Sequence, residues 1–232
     1  MRQAALDYLD DEVFYAVLID LIHRDLGEIL AAGPRGVLVR TDQGVGLISA
    51  RDADSATAML DILAPKNCHT FVVFDEEILS VVEAKFGCGQ RTPVHAAIYR
   101  GDPIPEIQRP ELKIETLGEQ WAGFVVDHYG MDDADYVRSR VEAGEIWGLF
   151  RGEEILGFIG LHVQGAMGLL EILPDHRRQG YAEYLLTYLT NRLLGEGRLP
   201  HDHIIVGNEA SVRLQEKLGF EITERTAWWV GS

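Results

Sequence analysis

Two stretches of this 232-residue chain hold residues whose types and spacing point to chemistry. The first is Leu170-Glu171-Ile172-Leu173-Pro174-Asp175-His176-Arg177-Arg178-Gln179-Gly180-Tyr181-Ala182, which reads as a strand, a sharp loop and the start of a helix. His176, Arg177 and Arg178 fall at that helix N-terminus. A helix N-terminus already carries about half a positive charge, so cations are disfavoured there and acids preferred. An anion that completes the site explains the placement, because free N–H groups of a first helical turn cradle phosphate oxygens. Gly180 permits close backbone approach, and Ala182 keeps the next turn small. A solvated basic loop paired with some of the 37 acidic side chains is the reading that charge alone leaves open. The second stretch is Asn208-Glu209-Ala210-Ser211-Val212-Arg213-Leu214-Gln215-Glu216-Lys217-Leu218-Gly219-Phe220, a helix that Asn208 can cap.

Arg177-x-x-Gly180-x-Ala182 resembles the Arg/Gln-x-x-Gly-x-Gly/Ala signature of the GNAT superfamily of N-acetyltransferases. The second stretch resembles that family's Asn-x-Ala-Ser-x-x-Leu-Tyr-Glu-Lys-Leu-Gly-Phe run, and the two occur in the family's order. The resemblance covers roughly residues 112–230. Leu194-Gly195-Glu196-Gly197-Arg198-Leu199-Pro200 and the tryptophans Trp228 and Trp229 are similar to the glycine N-acyltransferase-like branch, whose members also carry an N-terminal half. The resemblance implies a mixed, mostly antiparallel sheet flanked by helices, with acetyl-CoA or another acyl-CoA between two splayed strands, one ending at Leu173 and the other around His203–Val206. It implies that pantetheine pairs with backbone groups near Leu170, Ile172 and Leu173. The pyrophosphate would rest on the amides of Arg177, Arg178, Gln179, Gly180, Tyr181 and Ala182. Asn208 would reach the pantetheine, or cap its helix, or do both, and Ser211 would lie close to the cofactor.

Acyl transfer by direct attack needs a base for the ammonium and an acid for the departing thiolate. It also needs a donor for the developing oxyanion, which the family finds in a strand backbone N–H. The family's acid is the Tyr of its Leu-Tyr-Glu-Lys run. Here that position is Gln215, which donates a hydrogen bond but releases no proton at neutral pH. Thiolate departure then relies on water, on another tyrosine or on no acid at all; Tyr181 and Tyr184 are near in sequence, and a partly buried packing role is the other reading of each. Glu171 is the candidate base, because an acid within Leu169-Leu170-Glu171-Ile172-Leu173 is costly unless bonded or functional. Outward-facing alternation on one side of the sheet is its other reading. The glycine branch carries its basic Glu earlier on the strand, where this chain has Ala166. His162, His201 and His203 are lesser candidates.

Several elements must position these residues. Asp102-Pro103-Ile104-Pro105-Glu106-Ile107-Gln108-Arg109-Pro110 is extended and belongs to neither flank. A boundary there divides the chain into an N-terminal α/β domain of unassigned role, 1–105, and an acyl-CoA-binding domain, 106–232. The first part reads as helices at Gln3–Ala16 and Ile19–Ala32, a hairpin Gly36–Arg40/Val45–Ser49, a helix Ala53–Leu63 capped by Asp52, a strand Thr70–Phe74, a helix Glu76–Phe86 and a strand Val94–Tyr99. The second reads as a strand Lys113–Leu117, helices at Gln120–His128 and Asp133–Ala143, a hairpin Ile146–Arg151/Ile155–Val163, a strand Ala166–Leu173, a long helix from Gly180 to Leu194, a strand His203–Val206, a helix Glu209–Leu218 and a strand Phe220–Val230. The fold class is α/β (α+β), and the shared order of the halves reads as two copies of one fold, the first degenerate.

Charge sets limits. A net charge of −16 repels phosphate backbones and anionic membranes, so neither nucleic acid nor a membrane is an expected partner. Cys68 and Cys88 show no metal-ligand spacing. No apolar run reaches the roughly 20 residues of a membrane helix, and the start has no apolar signal core, so a cytoplasmic protein is expected. Two functions remain: an N-acyltransferase acting on a small-molecule primary amine, and a catalytically silent acyl-CoA sensor, which Gln215 and the N-terminal half favour. A homodimer is a further expectation.

Overall fold

Acidic caps open two of the helices among the described residues. The computed structural model describes residues 1–63, 68–131 and 133–231. The N-terminal elements are α1 (Arg2–Tyr8), α2 (Ala16–His23), β1 (Gly27–Gly33), β2 (Gly36–Thr41), β3 (Val45–Ala50), α3 (Ala53–Leu60), β4 (Thr70–Val73), α4 (Leu79–Phe86) and β5 (Gln90–Ile98). Then come β6 (Leu112–Thr116), α5 (Ala122–His128), α6 (Ala134–Glu142), β7 (Ile146–Arg151), β8 (Glu154–Leu161), β9 (Met167–Ile172), α7 (Tyr181–Gly195), β10 (His201–Ile205), α8 (Glu209–Leu218), β11 (Glu221–Ile222) and β12 (Ala227–Gly231). Asp52 caps α3 by accepting from the Ser55 N–H, and Asp133 caps α6 by accepting from those of Asp135 and Tyr136. This mixed α/β architecture, mostly antiparallel and flanked by helices, is the expected fold class.

Three expected elements are corrected. The helix expected over Ile19–Ala32 is α2 followed by β1. Asp25 turns the chain at φ 53, and residues 27–33 pair antiparallel with β2 through a bulge. The Glu-Ile-Leu-Ala-Ala run has helix propensity, but strand pairing outweighs a preference of a few tenths of a kcal/mol per residue. The helix expected over Gln3–Ala16 ends at Tyr8, where Asp11 Oδ1 takes the Phe14 N–H into a separate turn. The strand expected over Phe220–Val230 is broken into β11 and β12.

Contacts divide the chain into two compact units. The first comprises residues 1–98, 201–216 and 220–232. Its strands run in the order β1-β2-β3-β4-β12-β5-β10, with β11 also on β5. β3 and β4 are parallel and joined through α3, and the other pairs are antiparallel. Leu38, Ile48, Leu60, Phe71, Ile78 and Val230 centre its core beneath α3 and α4. The C-terminal segments belong here because β10 and β12 both pair with β5.

The second unit comprises residues 99–200 and 217–219. It holds the antiparallel series β9-β8-β7-β6. α5 and α6 pack on it through Val125, Tyr129, Val137 and Val141, which meet Phe150, Phe158 and Leu169. α7 packs on β8 and β9 and buries Leu185, Leu186, Leu189 and Leu193, an apolar stripe at three- and four-residue spacing. The proline-rich stretch 102–110 has neither helix nor strand. It is fastened to α7 by Asn191, whose Oδ1 accepts from Ile104 N–H and whose Nδ2 donates to Ile104 O, both at 2.7 Å.

Candidate active site

β9 is irregular where it approaches the loop. Phe158 pairs with Glu171 and Gly160 with Gly168, so β9 carries one residue more than β8 across this span. The bulge holds Leu169 at φ 49. A left-handed Leu stores about 1–3 kcal/mol of strain, and such residues cluster at functional sites.

After β9 the chain passes through a short 3-10 turn at Pro174–His176 and an extended Arg177. Arg178 (φ 64) and Gly180 (φ 82) are both left-handed. Gly180 then begins α7 without a side-chain cap. Among the described residues, none accepts a hydrogen bond from the N–H groups of Arg178, Gln179, Gly180, Tyr181 or Ala182. A turn that leaves its amides open at the positive end of a 15-residue helix is suited to an anion.

The cations around this turn differ from expectation. Arg178 is exposed and forms no ion pair among the described residues. Arg177 is occupied: its Nη2 donates to Glu171 Oε1 at 2.8 Å and its Nε to Ile172 O at 3.0 Å. Glu171 is therefore an ion-paired carboxylate, about a quarter exposed, rather than a lone acid among apolar neighbours. His176 lies 3.3 Å from Glu154. A further cation is Arg109, whose Nη2 donates to Gln179 O at 3.0 Å and whose guanidinium lies 5.6 Å from the Tyr181 ring centroid. Sequence reasoning treated its stretch only as a linker. The Tyr181 side chain is buried and donates to Gln179 Oε1, so what this residue offers the loop is backbone.

Near the start of β9, His162 lies against Gly168. A Cβ on Gly168 would stand 2.4 Å from His162 Nε2, so only glycine admits the ring there. Tyr136 of α6 meets His162 Nδ1 at 2.7 Å. Burial, and then the Arg140 charge, push the imidazole down to about 4.

The second motif lies mostly in the first unit. Asn208 Oδ1 accepts from the Ser211 N–H at 3.1 Å, which is the capping role. Ser211 Oγ accepts from Gln215 Nε2 at 3.3 Å. Gln215 is buried and also donates to Asp202. Asp202 accepts from the His203 N–H at 2.7 Å, yet burial pushes its carboxyl up to about 6. Sequence reasoning missed Asp202, whose partner lies 13 residues away.

Residues 147–230 match the family model described as FR47-like protein. Among solved structures, the chain is similar to a GCN5-related N-acetyltransferase from Kribbella flavida, at 16% identity over 97% of this chain and 95% of that one, with a TM-score of 0.58. It is similar to a GCN5-related N-acetyltransferase-like protein from Streptococcus suis, at 13% identity over 95% and 96%, with a TM-score of 0.58. A Drosophila protein aligns at 16% identity over 85% and 73%, with a TM-score of 0.65. No curated protein sequence matches the chain. The fold is that of the GNAT acetyltransferases.

The element order of this GNAT fold occurs twice. The run α1-α2-β1-β2-β3-α3-β4-α4-β5 is repeated by α5-α6-β7-β8-β9-α7-β10-α8-β11. The two helix starts differ in what fills them. Asp52 places its own carboxylate on the first turn of α3, 2.7 Å from the Ser55 N–H, whereas α7 begins with Gly180 and no cap. Asp75 also ties the end of β3, accepting from Ser49 Oγ at 2.7 Å and Ala50 N–H at 2.9 Å. The first copy thus satisfies with its own acids the donors that the second leaves open.

Proposed function

We propose that the chain is an N-acyltransferase that moves an acetyl or small acyl group from acyl-CoA to the primary amine of a small molecule or amino acid. The observation that carries this reading is the uncapped start of α7, with open amides from Arg178 to Ala182 and exposed Arg178 beside them. Backbone N–H groups and guanidinium donors at a helix start together match a diphosphate in charge and geometry. Arg109 adds a second guanidinium at Gln179.

The roles follow from the chemistry. The backbone of Ile172 pairs with a pantetheine amide as an added strand would, whereas the Leu173 N–H is engaged by Leu156 O and the Leu173 carbonyl by the His176 N–H. The bulge at Leu169 turns the β9 backbone toward the thioester, where a backbone N–H can stabilise the oxyanion. Glu171 takes the ammonium proton once Arg177 exchanges it for the diphosphate. The amine then attacks the carbonyl carbon, the C–S bond breaks, and the thiolate draws its proton from solvent. Ala166, buried near the start of β9, leaves the glycine branch's basic position empty, so kinship with that branch is not needed.

The test is thiol release from acetyl-CoA against a panel of primary amines, with calorimetry of acetyl-CoA binding alongside. Transfer to any amine supports the enzyme. Binding without product across the panel favours the sensor, and no binding discards both readings.

A further inference from the structure

The first unit carries a cavity that none of the roles above uses. One wall is the end of β1, at Ala32 and Gly33, with the turn that follows it. The other is a face of α3 and its closing turn, where Ser55, Met59 and Ile62 follow at four- and three-residue steps and so share one side. The volume is about 320 Å³, enough for a small ligand. Met59 reaches inward because Gly36 has no side chain: a Cβ there would stand 2.7 Å from Met59 Cε. Ile62 is 56% exposed at the rim. Arg35 is the one charged side chain among the described residues that line the cavity. Its carbonyl takes the Arg51 N–H at 3.0 Å, which anchors its backbone. Its exposed guanidinium makes no ion pair and no hydrogen bond among the described residues. Asp52, an acid that feels its charge, keeps Oδ1 on the Ser55 N–H at 2.7 Å. In a chain with 37 acidic side chains, this cation is left uncommitted beside an apolar cavity.

We infer that this cavity is a binding site for an aliphatic monocarboxylate, a fatty acid of medium length, with its carboxylate on Arg35 and its tail against Met59 and Ile62. The planar guanidinium presents two parallel N–H donors that match the two oxygens of a carboxylate. The tail leaves water for an apolar wall, and the unbranched thioether of Met59 adapts to its shape. Charge complementarity selects the class of ligand. An aliphatic amine meets the Arg35 charge, an alcohol leaves it unpaired, and a phosphate dianion finds one guanidinium where it needs more than one cation. The site is built from β1, its turn and α3 alone, so the inference stands apart from the acyltransferase reading.

The test uses the full chain and octanoate as probe, held below the concentration at which it aggregates. Calorimetry measures affinity, and NMR of the methionine methyl groups reports on Met59. Octanoate is expected to bind and to shift the Met59 methyl signal. Hexanoate is expected to bind more weakly, by about fourfold for each methylene that the cavity no longer buries. Octanol and octylamine carry the same tail without the negative charge and are expected to bind at least roughly tenfold more weakly than octanoate. Arg35→Gln is expected to weaken octanoate to the same degree while leaving octanol unchanged, and Arg35→Lys to recover part of the loss. Ala58→Glu sets an acid on the exposed edge of the same cavity, at a helix position that suits Glu, and is expected to abolish octanoate binding. Octanoate that does not bind, or binds no better than octanol, overturns the inference. So does octanoate that binds both Arg35→Gln and Ala58→Glu as tightly as the wild type, which places it elsewhere. A dimer in sedimentation that Ala58→Glu disperses gives the cavity to a second copy of the chain and overturns it as well. A wild type that binds octanoate in this way but no acetyl-CoA supports this inference and overturns the acyltransferase reading alone.

Discussion

Arg177 Nη2 lies 2.8 Å from Glu171 Oε1, so the first cation of the loop and the acid of β9 neutralise each other. The contact makes the cation and the carboxylate alternatives: an anion that takes Arg177 releases Glu171. Glu171→Gln is therefore expected to affect binding and turnover in opposite directions. Acetyl-CoA affinity should rise by up to about fivefold, because an exposed ion pair of about 0.2–1 kcal/mol no longer competes. Turnover should fall by about 10²-fold with the base gone. Calorimetry and thiol release measure the two, and unchanged turnover removes Glu171 as base.

Charge reversal tests the anion site. Arg178→Glu and Arg109→Glu should each weaken acetyl-CoA binding by roughly tenfold or more, since a hydrogen bond to a charged group contributes about 1.5–3 kcal/mol. Added salt should shrink the difference. Retained affinity in the double variant would mean that the diphosphate binds elsewhere.

Asp202 predicts a pH-dependent stability. Its carboxyl is raised from 3.8 to about 6, so between those values the folded chain holds a proton that the unfolded chain gives up. Stability from this group is full below about 4, is lost as pH rises through 6, and the loss is on the order of 3 kcal/mol. Asp202→Asn should remove that slope, so that its stability relative to the wild type improves between pH 4 and 6. Urea unfolding of both proteins at several pH values measures it, and a constant difference refutes the assignment.

Truncation gives a structural prediction. A chain lacking residues 1–98 loses β5, the partner of both β10 and β12. It should not fold, and circular dichroism should show no cooperative transition. A folded fragment would show that β10 and β12 can do without that pairing.

The loop and the start of α7 were legible because Arg177, Arg178 and Gly180 are close in sequence: cations and a glycine at a helix start. Asp52 and Asn208 were legible as caps for the same reason. Arg109 and Asp202 were not, because each gains its role from a distant partner, at Gln179 and Gln215. β1 was misread because Glu, Leu and Ala favour a helix, and only its pairing with β2 overrules them. The Glu171–Arg177 pair was hidden too, since an apolar run says nothing of a cation six residues on.

The double hydrogen bond between Asn191 and Ile104 acts as the zero mark of a ruler. Arg109 stands five positions further along an extended strap, and that count decides where its guanidinium falls. One residue inserted or deleted between the two shifts the charge by about 3.3 Å, a full step off the Gln179 carbonyl. A proline-rich connector that would elsewhere tolerate length changes is here held to a fixed number of residues.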